Sequence, residues 1–391
     1  MGSTSNLRDG IFPSQGTASL SDVRFSFLNS RSTFTRVRTK TDSSRDETQV
    51  GKLADFTTLV SLICNIYREF GNDLVPLQQF HPDAEKREDH GHTCVVSQKA
   101  ISITAASNVT RGETRASAED IVVKRTKESI HLPNSGGLRS LLSELRIRTH
   151  PPVRDHPKIA KFKGIAWDFE DVKATKPRPL LLEELAPQRS LERFWKDYDF
   201  VRMTFMAKMD LCLDIADALT VLHGCGIVHG DIKPENILVF PRIGHINTFM
   251  AKLTDFGHST SRSEGLKTLP AFTPQWCAPE IHEDGHCLSF QDMIATDVYS
   301  YGLVILSIVL GRPYYRDLED FESLKRDGTM FEKAIGLVEN EDRSSQDSDF
   351  ELDVIRLLLS KTIRSGSSGR SLSRCLRILR RYLYVHFRPI K

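Results

Sequence analysis

One stretch limits the folds open to this chain more than any other: residues 228–238, VHGDIKPENIL, taken with AKLTDFGHST further on. Together they supply two carboxylates (Asp231 and Asp255), an ammonium (Lys233) and an amide (Asn236). Asp231 can accept or orient the proton of a hydroxyl, and Lys233 can hold the charge of a migrating phosphoryl group. Asn236 and Asp255 are hard oxygen donors. Magnesium keeps waters and phosphates among its ligands, so such a sparse pair suits it. One hexamer of this kind occurs in any solvated loop. Here Asp255-Phe256-Gly257 follows Asn236 by 19 residues, and then come Ala278-Pro279-Glu280 and Asp297 at the head of DVYSYGLVILSIVL. Four motifs in this order set the chain apart from an ordinary surface loop.

In that order the motifs resemble those of the eukaryotic protein kinases. The resemblance implies an α+β, bilobal fold with a small β-rich N-lobe (80–187) and a larger, mainly helical C-lobe (188–391). ATP and Mg2+ would lie between the lobes. Asp231 becomes the base or orienter of a protein hydroxyl, Lys233 its charge partner, and Asn236 and Asp255 the metal ligands. Lys124, closing the β-branched run Asp120-Ile121-Val122-Val123-Lys124, stands where such kinases anchor the nucleotide, with Val122 beside it. Glu144, in LRSLLSELRIRTH, would be its ion-pair partner. Leu182 is implied at the back of the adenine pocket, Glu183 and Leu185 as backbone partners of adenine's edge, and Leu238 as the floor. Thr273 would bond Asp231 and Lys233, and Lys233 favours the serine/threonine class. Glu280 would form a buried pair with Arg370, and Asp297 would cap its helix while holding the amides of the catalytic loop.

The chain also departs from that pattern. A kinase-like phosphate-covering loop reads G-x-G-x-x-G-x-V; here DHGHTCVV keeps Gly91, sets Cys94 at the third glycine, closes on Val96 and puts Asp89 in the first glycine's place. The polar residues 105–118 read as a solvent loop between strands. Arg148 stands where kinases put an apolar residue of the packing column that links the lobes. Gly230 replaces the arginine that precedes the aspartate in many kinases, which removes the partner of an activation-loop phosphate. Ser259, Thr260, Ser261, Ser263 and Thr268 offer hydroxyls for modification within the activation segment.

Outside these motifs, residues 1–54 are rich in Ser, Thr and Arg and read as a disordered leader. Asn6 breaks the acylation pattern that Met1-Gly2 begins, and an acid-poor stretch over 24–40 has a faint presequence character. Phe56, Leu59, Val60, Ile63, Cys64, Tyr67 and Phe70 mark an amphipathic helix within a 55–79 extension that docks on the small lobe. Residues 338–353 read as an exposed acidic loop, and the arginine-rich end as a closing helix with a solvated basic face. The longest apolar run, 303–310, is far short of the ~20 residues of a spanning helix and reads as core. Neither the cluster of His90, His92 and Cys94 nor that of His282, His286 and Cys287 has a second ligand pair at zinc spacing. A net charge of +2 gives no reason for nucleic acid or an anionic membrane as main partner. Seven irregularly placed cysteines argue for a reducing, cytosolic setting. The phrases CLDIADALTVLHGCGIVHGDIKPENIL and ELRIRTH look most similar to kinases of filamentous fungi, and the resemblance spans about 55–385. The expected function is a serine/threonine protein kinase. Two alternatives are a signalling scaffold without catalysis and, because HGD also opens the catalytic loop of antibiotic and choline kinases, a small-molecule phosphotransferase.

Overall fold

Apolar residues three and four apart produce helix α1 (Phe56–Phe70), begun by Asp55, whose carboxylate accepts the Thr58 N–H at 2.8 Å. The face it buries consists of Leu59, Ile63, Ile66 and Phe70, while Cys64, expected on that face, is exposed. Tyr67 Oη accepts the Ile165 N–H at 2.8 Å and so ties α1 to the small sheet. The computed structural model describes residues 55–74, 78–80, 93–103, 107–114, 120–126, 135–168, 178–197, 200, 203–242, 248–262, 272–281, 288–318, 320–341, 348–364 and 366–386. All of them belong to one unit, 46–391. The expected leader, Gly91, the two histidine clusters except Cys94, Ser263 and Thr268 lie outside the described residues.

The sheet strands are β1 (Gln78–Phe80), β2 (Thr93–Ile103), β3 (Ser107–Thr114), β4 (Asp120–Thr126), β5 (Phe162–Asp168) and β6 (Arg178–Glu184). They close into a barrel of order β1-β2-β3-β4-β6-β5. Most of the 105–118 stretch is therefore strand and not loop, because β3 pairs antiparallel with β2 and β4. Its polar side chains mask the strand from a hydrophobic pattern, although Val109, Thr110 and Thr114 favour extended backbone. In β4 and β6, Lys124 faces Leu181 and Val122 faces Glu183. Strand side chains alternate, so these four share one face, and Ile121, Val123, Leu180 and Leu182 fill the other with Ala166. Between β4 and β5 lie α2 (Gly136–Thr149), capped by Ser135, and the single turn α3 (Pro151–Arg154).

After β6 the chain is mainly helical: α4 (Leu191–Asp197), α5 (Phe205–Gly224), α6 (Phe290–Leu310), α7 (Phe321–Arg326), α8 (Met330–Glu339), α9 (Ser348–Ser360) and α10 (Leu372–His386). Between α5 and α6, β7 (Ile227–Val228) pairs with β10 (Thr260–Ser261), and β8 (Ile237–Pro241) with β9 (Phe249–Leu253). Helix α6 runs well beyond the apolar 303–310 run. Among the described residues it alone is long and apolar enough to cross a membrane by length and composition, yet its side chains are buried in the helical core. It packs so closely on the turn after α9 that a Cβ on Gly302 would lie 2.3 Å from Thr362 Oγ1. Ser289 caps α6, so Asp297 sits inside the helix and does not start it. The acidic 338–353 stretch is not simply an exposed loop: Val338 is buried in α8, and residues 348–353 open α9.

Candidate active site

The catalytic loop hangs on a buried carboxylate in α6. Asp297 accepts the His229 N–H at 2.8 Å, the Gly230 N–H at 2.9 Å and a bond with His223 Nε2 at 2.9 Å. Gly230 takes φ +79°, where a side chain is strained, and this turn leads directly into Asp231. Asp231 Oδ2 lies 2.6 Å from Lys233 Nζ and accepts Asn236 Nδ2–H at 3.0 Å, and its Oδ1 accepts the Thr273 hydroxyl at 2.7 Å. Lys233 also donates to Thr273 Oγ1 at 2.8 Å. The Asp231 carboxylate is thus fixed by three side chains, one of them cationic, at the edge of a cleft.

Across the cleft, Lys124 is buried and donates to Glu144 at 2.9 and 3.0 Å and to Asp255 Oδ1 at 2.6 Å. Burial opposes its charge, but Asp255, Glu144 and Glu183 outweigh that and raise its pKa above the ordinary lysine value. Burial would likewise raise Asp255; the charge and hydrogen bond of Lys124 instead hold it far below the usual carboxylate range. Asp255 adopts φ +63°, a left-handed conformation uncommon outside glycine that aims its carboxylate at Lys124. The Asn236 amide spends its NH2 on Asp231, at the backbone oxygen (2.9 Å) and the carboxylate, which leaves Oδ1 as an acceptor. The Thr254 N–H bonds the Asn236 carbonyl at 3.0 Å and so holds Asn236, just before β8, close to Asp255, just after its partner strand β9. An anionic carboxylate and an amide oxygen fit a hard divalent cation.

Val122, Leu185 and Leu238 are half-buried, as residues lining an open cleft are. Leu182 is not at the back of that cleft. Strand parity turns it into the barrel interior, and the neighbouring Glu183 side chain takes the position. Glu183 thus contributes a carboxylate as well as backbone. Val96 is likewise displaced from its expected role: it lies within β2 opposite Gly112, while β3, which pairs with the Lys124 strand, begins at Ser107. Val109 is the register partner of Lys124. Ser259, expected to be open to modification, is buried and donates to the His229 carbonyl at 2.9 Å.

Sequence reading missed how Arg148 is accommodated. It is fully buried, bonds Glu144 at 3.0 Å and Glu183 at 2.9 Å, and its guanidinium lies 5.1 Å from the centroid of the Phe256 ring. Phe256 in turn packs 5.3 Å from His229, whose Nε2 contacts the Thr254 carbonyl at 3.0 Å. Burial lowers the His229 pKa, which favours the neutral ring with Nε2–H as donor. The column that links the two parts of the molecule is therefore continuous, with a cation–π contact where an apolar contact was expected. A second missed residue is Lys325 in α7. It donates to the carbonyls of Pro274 and Gln275 at 2.8 Å and of Cys277 at 3.0 Å, beneath the 273–280 shelf. A lysine in FESLKR reads as a solvated charge, so no signal in the sequence marks it. Arg370 pairs with Glu280, whose side chain is a quarter exposed, so the pair is less buried than expected.

This chain is 35% identical over 122 residues to a probable serine/threonine-protein kinase, fhkC, of Dictyostelium discoideum, covering 30% of this chain and 19% of the relative. It is 29% identical over 211 residues to a putative L-type lectin-domain containing receptor kinase of Arabidopsis thaliana (52% and 30%). Against the cytokinesis protein sepH of Emericella nidulans it is 29% identical over 226 residues (58% and 14%). The matched region spans less than a third of the length of each of these relatives. The model of the protein kinase domain matches residues 98–374, beginning after Gly91 and Val96 and taking in every residue of the two carboxylate clusters. With well over half of its length matched, the chain belongs to the protein kinase domain family.

Proposed function

We propose that this chain is a serine/threonine protein kinase that uses ATP and Mg2+ to phosphorylate a protein hydroxyl. One observation carries the reading: Lys124 reaches Asp255, 131 positions away in the chain, at 2.6 Å while also bonding Glu144. Asp231 orients the acceptor hydroxyl and takes its proton, and the Lys233 ammonium offsets the charge gathering on the transferred group. Lys124, steadied by Glu144, holds the phosphates of the nucleotide. Asn236 and Asp255 hold the metal, which when bound neutralises phosphate charge and aligns the oxygens for in-line transfer. Thr273 bridging Asp231 and Lys233, with the Lys325-supported shelf behind it, supports a peptide substrate over a small molecule. We assign the cytosol on the irregular, odd-numbered cysteines.

The test is transfer of labelled phosphate from Mg-ATP to a generic basic protein by wild type and Asp231→Asn. The expected result is measurable transfer by the wild type and a loss of about 10²- to 10⁴-fold in the variant. The scaffold reading has one observation in its favour, since residues 103–107, Ile-Thr-Ala-Ala-Ser, contain no glycine for backbone approach to phosphate. Nucleotide binding with no transfer by wild type would establish it instead.

A further inference from the structure

We infer that Arg148 is a positioning residue: together with Glu183 it forms a buried charged latch that holds Glu144, and through it Lys124, in the engaged arrangement. The inference deepens the kinase reading and rests on it for its functional consequence. Arg148 lies one turn beyond Glu144 on α2, and its Nε bonds Glu144 Oε1 at 3.0 Å, the same oxygen that Lys124 reaches. Its Nη2 bonds Glu183 Oε1 on β6 at 2.9 Å and Thr254 Oγ1 at 3.1 Å, and Nη1 reaches the Ala160 carbonyl at 3.4 Å. Thr254 closes the ring by donating to Glu183 Oε2 at 2.9 Å. A planar guanidinium with five donors can satisfy four directions at once, which an ammonium or an apolar side chain cannot.

The charges explain why the pair must come together. Two cations, Lys124 and Arg148, stand among three carboxylates, Glu144, Glu183 and Asp255. Without Arg148, two buried carboxylates would compete for Lys124, and Glu183 would draw it away from its place between Glu144 and Asp255. The bonds from α2 to β6 and Thr254 favour the arrangement in which Glu144 meets Lys124 over any in which α2 is turned away. Two weaker ties run the same way, from Ser140 to the Gly257 carbonyl at 2.8 Å and from Ser143 to the Ser259 carbonyl at 3.3 Å. Gly230 leaves the catalytic loop without the guanidinium that would read an activation-segment phosphate. The latch supplies from within α2 the restraint that such a phosphate supplies elsewhere, and the active arrangement is set without modification.

The test uses phosphatase-treated full chain in four forms: wild type, Arg148→Leu, Glu183→Gln and the double variant Arg148→Leu/Glu183→Leu. Three readouts are taken: transfer kinetics against ATP, nucleotide affinity, and hydrogen exchange of the α2 amides. Arg148→Leu is expected to lower kcat by about 10²-fold and raise KM for ATP, since misplacing a catalytic group by an ångström costs about that much. It also exposes the α2 amides to exchange. Glu183→Gln keeps shape and an acceptor, folds, and gives a smaller effect of the same sign. The double variant, with an apolar pair in place of the charged one, recovers most of the kcat and the α2 protection. Wild-type kcat, KM and α2 protection in folded Arg148→Leu overturn the latch, as does a double variant no better than the single. If Arg148→Leu does not fold, Glu183→Gln with unchanged α2 exchange and KM overturns it. A wild type that binds nucleotide without transfer removes the kinase reading alone, because the exchange arm still reports on the latch.

Discussion

Arg148 and Lys325 are both buried cations, and the molecule neutralises them by opposite means. Arg148 sits between two carboxylates, and Glu183 and Glu144 more than offset the burial that works against its charge. Lys325 spends its three N–H bonds on three backbone carbonyls and packs over the Phe321 ring at 5.3 Å. Carbonyl dipoles replace hydration less completely than an anion does, and burial pulls the Lys325 pKa down to about 8. The first cation ties α2, β6 and Thr254 together and keeps its charge at any pH the fold survives. The second props up a shelf made of backbone, where any residue type can supply the carbonyl, and it can lose its proton.

Removing the Arg148 charge should have the larger effect on stability. Arg148→Ala strands Glu183 in the interior, and breaking a buried pair this way costs about 3–5 kcal/mol. Denaturant unfolding of wild type and variant measures it. A loss under 1 kcal/mol would mean that Glu183 escapes to water, and the contrast with Lys325 would collapse.

The Lys325 contribution should instead depend on pH. Below pH 8 the ammonium is charged in the folded state, at a desolvation cost that the unfolded chain does not bear. Above pH 8 the folded protein releases this proton while the unfolded lysine keeps it up to its ordinary value of 10.5. The unfolded state then binds more protons, so stability rises with pH across that window. At about 1.4 kcal/mol per pKa unit the gain is on the order of 3 kcal/mol. Lys325→Met should lack it, and the difference between the two proteins removes the tyrosine and cysteine titrations common to both. The neighbouring Cys277 thiol, pushed up to about 11 by burial, stays neutral through most of the window. Parallel stability curves for the two proteins from pH 7.5 to 10.5 would show that Lys325 is hydrated.

What could be read in advance divides along the same line. Asp231, Lys233, Asn236 and Asp255 were legible because their chemistry is encoded in local spacing and in the order of motifs. Lys124 and Glu144 were legible because a β-branched strand and a helix frame them. Leu182 was set at the back of the pocket in place of Glu183, since choosing between adjacent residues in PLLLEEL requires the register of β6 against β4, which is a non-local property. The compensation of Arg148 by Glu183 joins residues 35 positions apart, and its one trace in the sequence is an acidic residue closing a leucine run. Strand β3 was hidden by polar side chains, and Lys325 by looking like any surface lysine.

The pair Glu280–Arg370 lies between the two extremes and should show the smallest effect. Arg370 is buried, with its Nη1 and Nη2 directed at the Glu280 carboxylate, but it also reaches the Ala295 carbonyl at 3.3 Å and stacks 4.6 Å from the Tyr299 ring centroid. Glu280 is partly exposed, so solvent already screens the pair. Glu280→Gln keeps an acceptor for the guanidinium and leaves a carbonyl and a π face to hold its charge, and about 1–2 kcal/mol should be lost. A loss matching that of Arg148→Ala would mean that the carbonyl and ring contribute little. Arg370 would then join Arg148 as a cation held by carboxylates, and Lys325 would stand apart as the one cage of backbone.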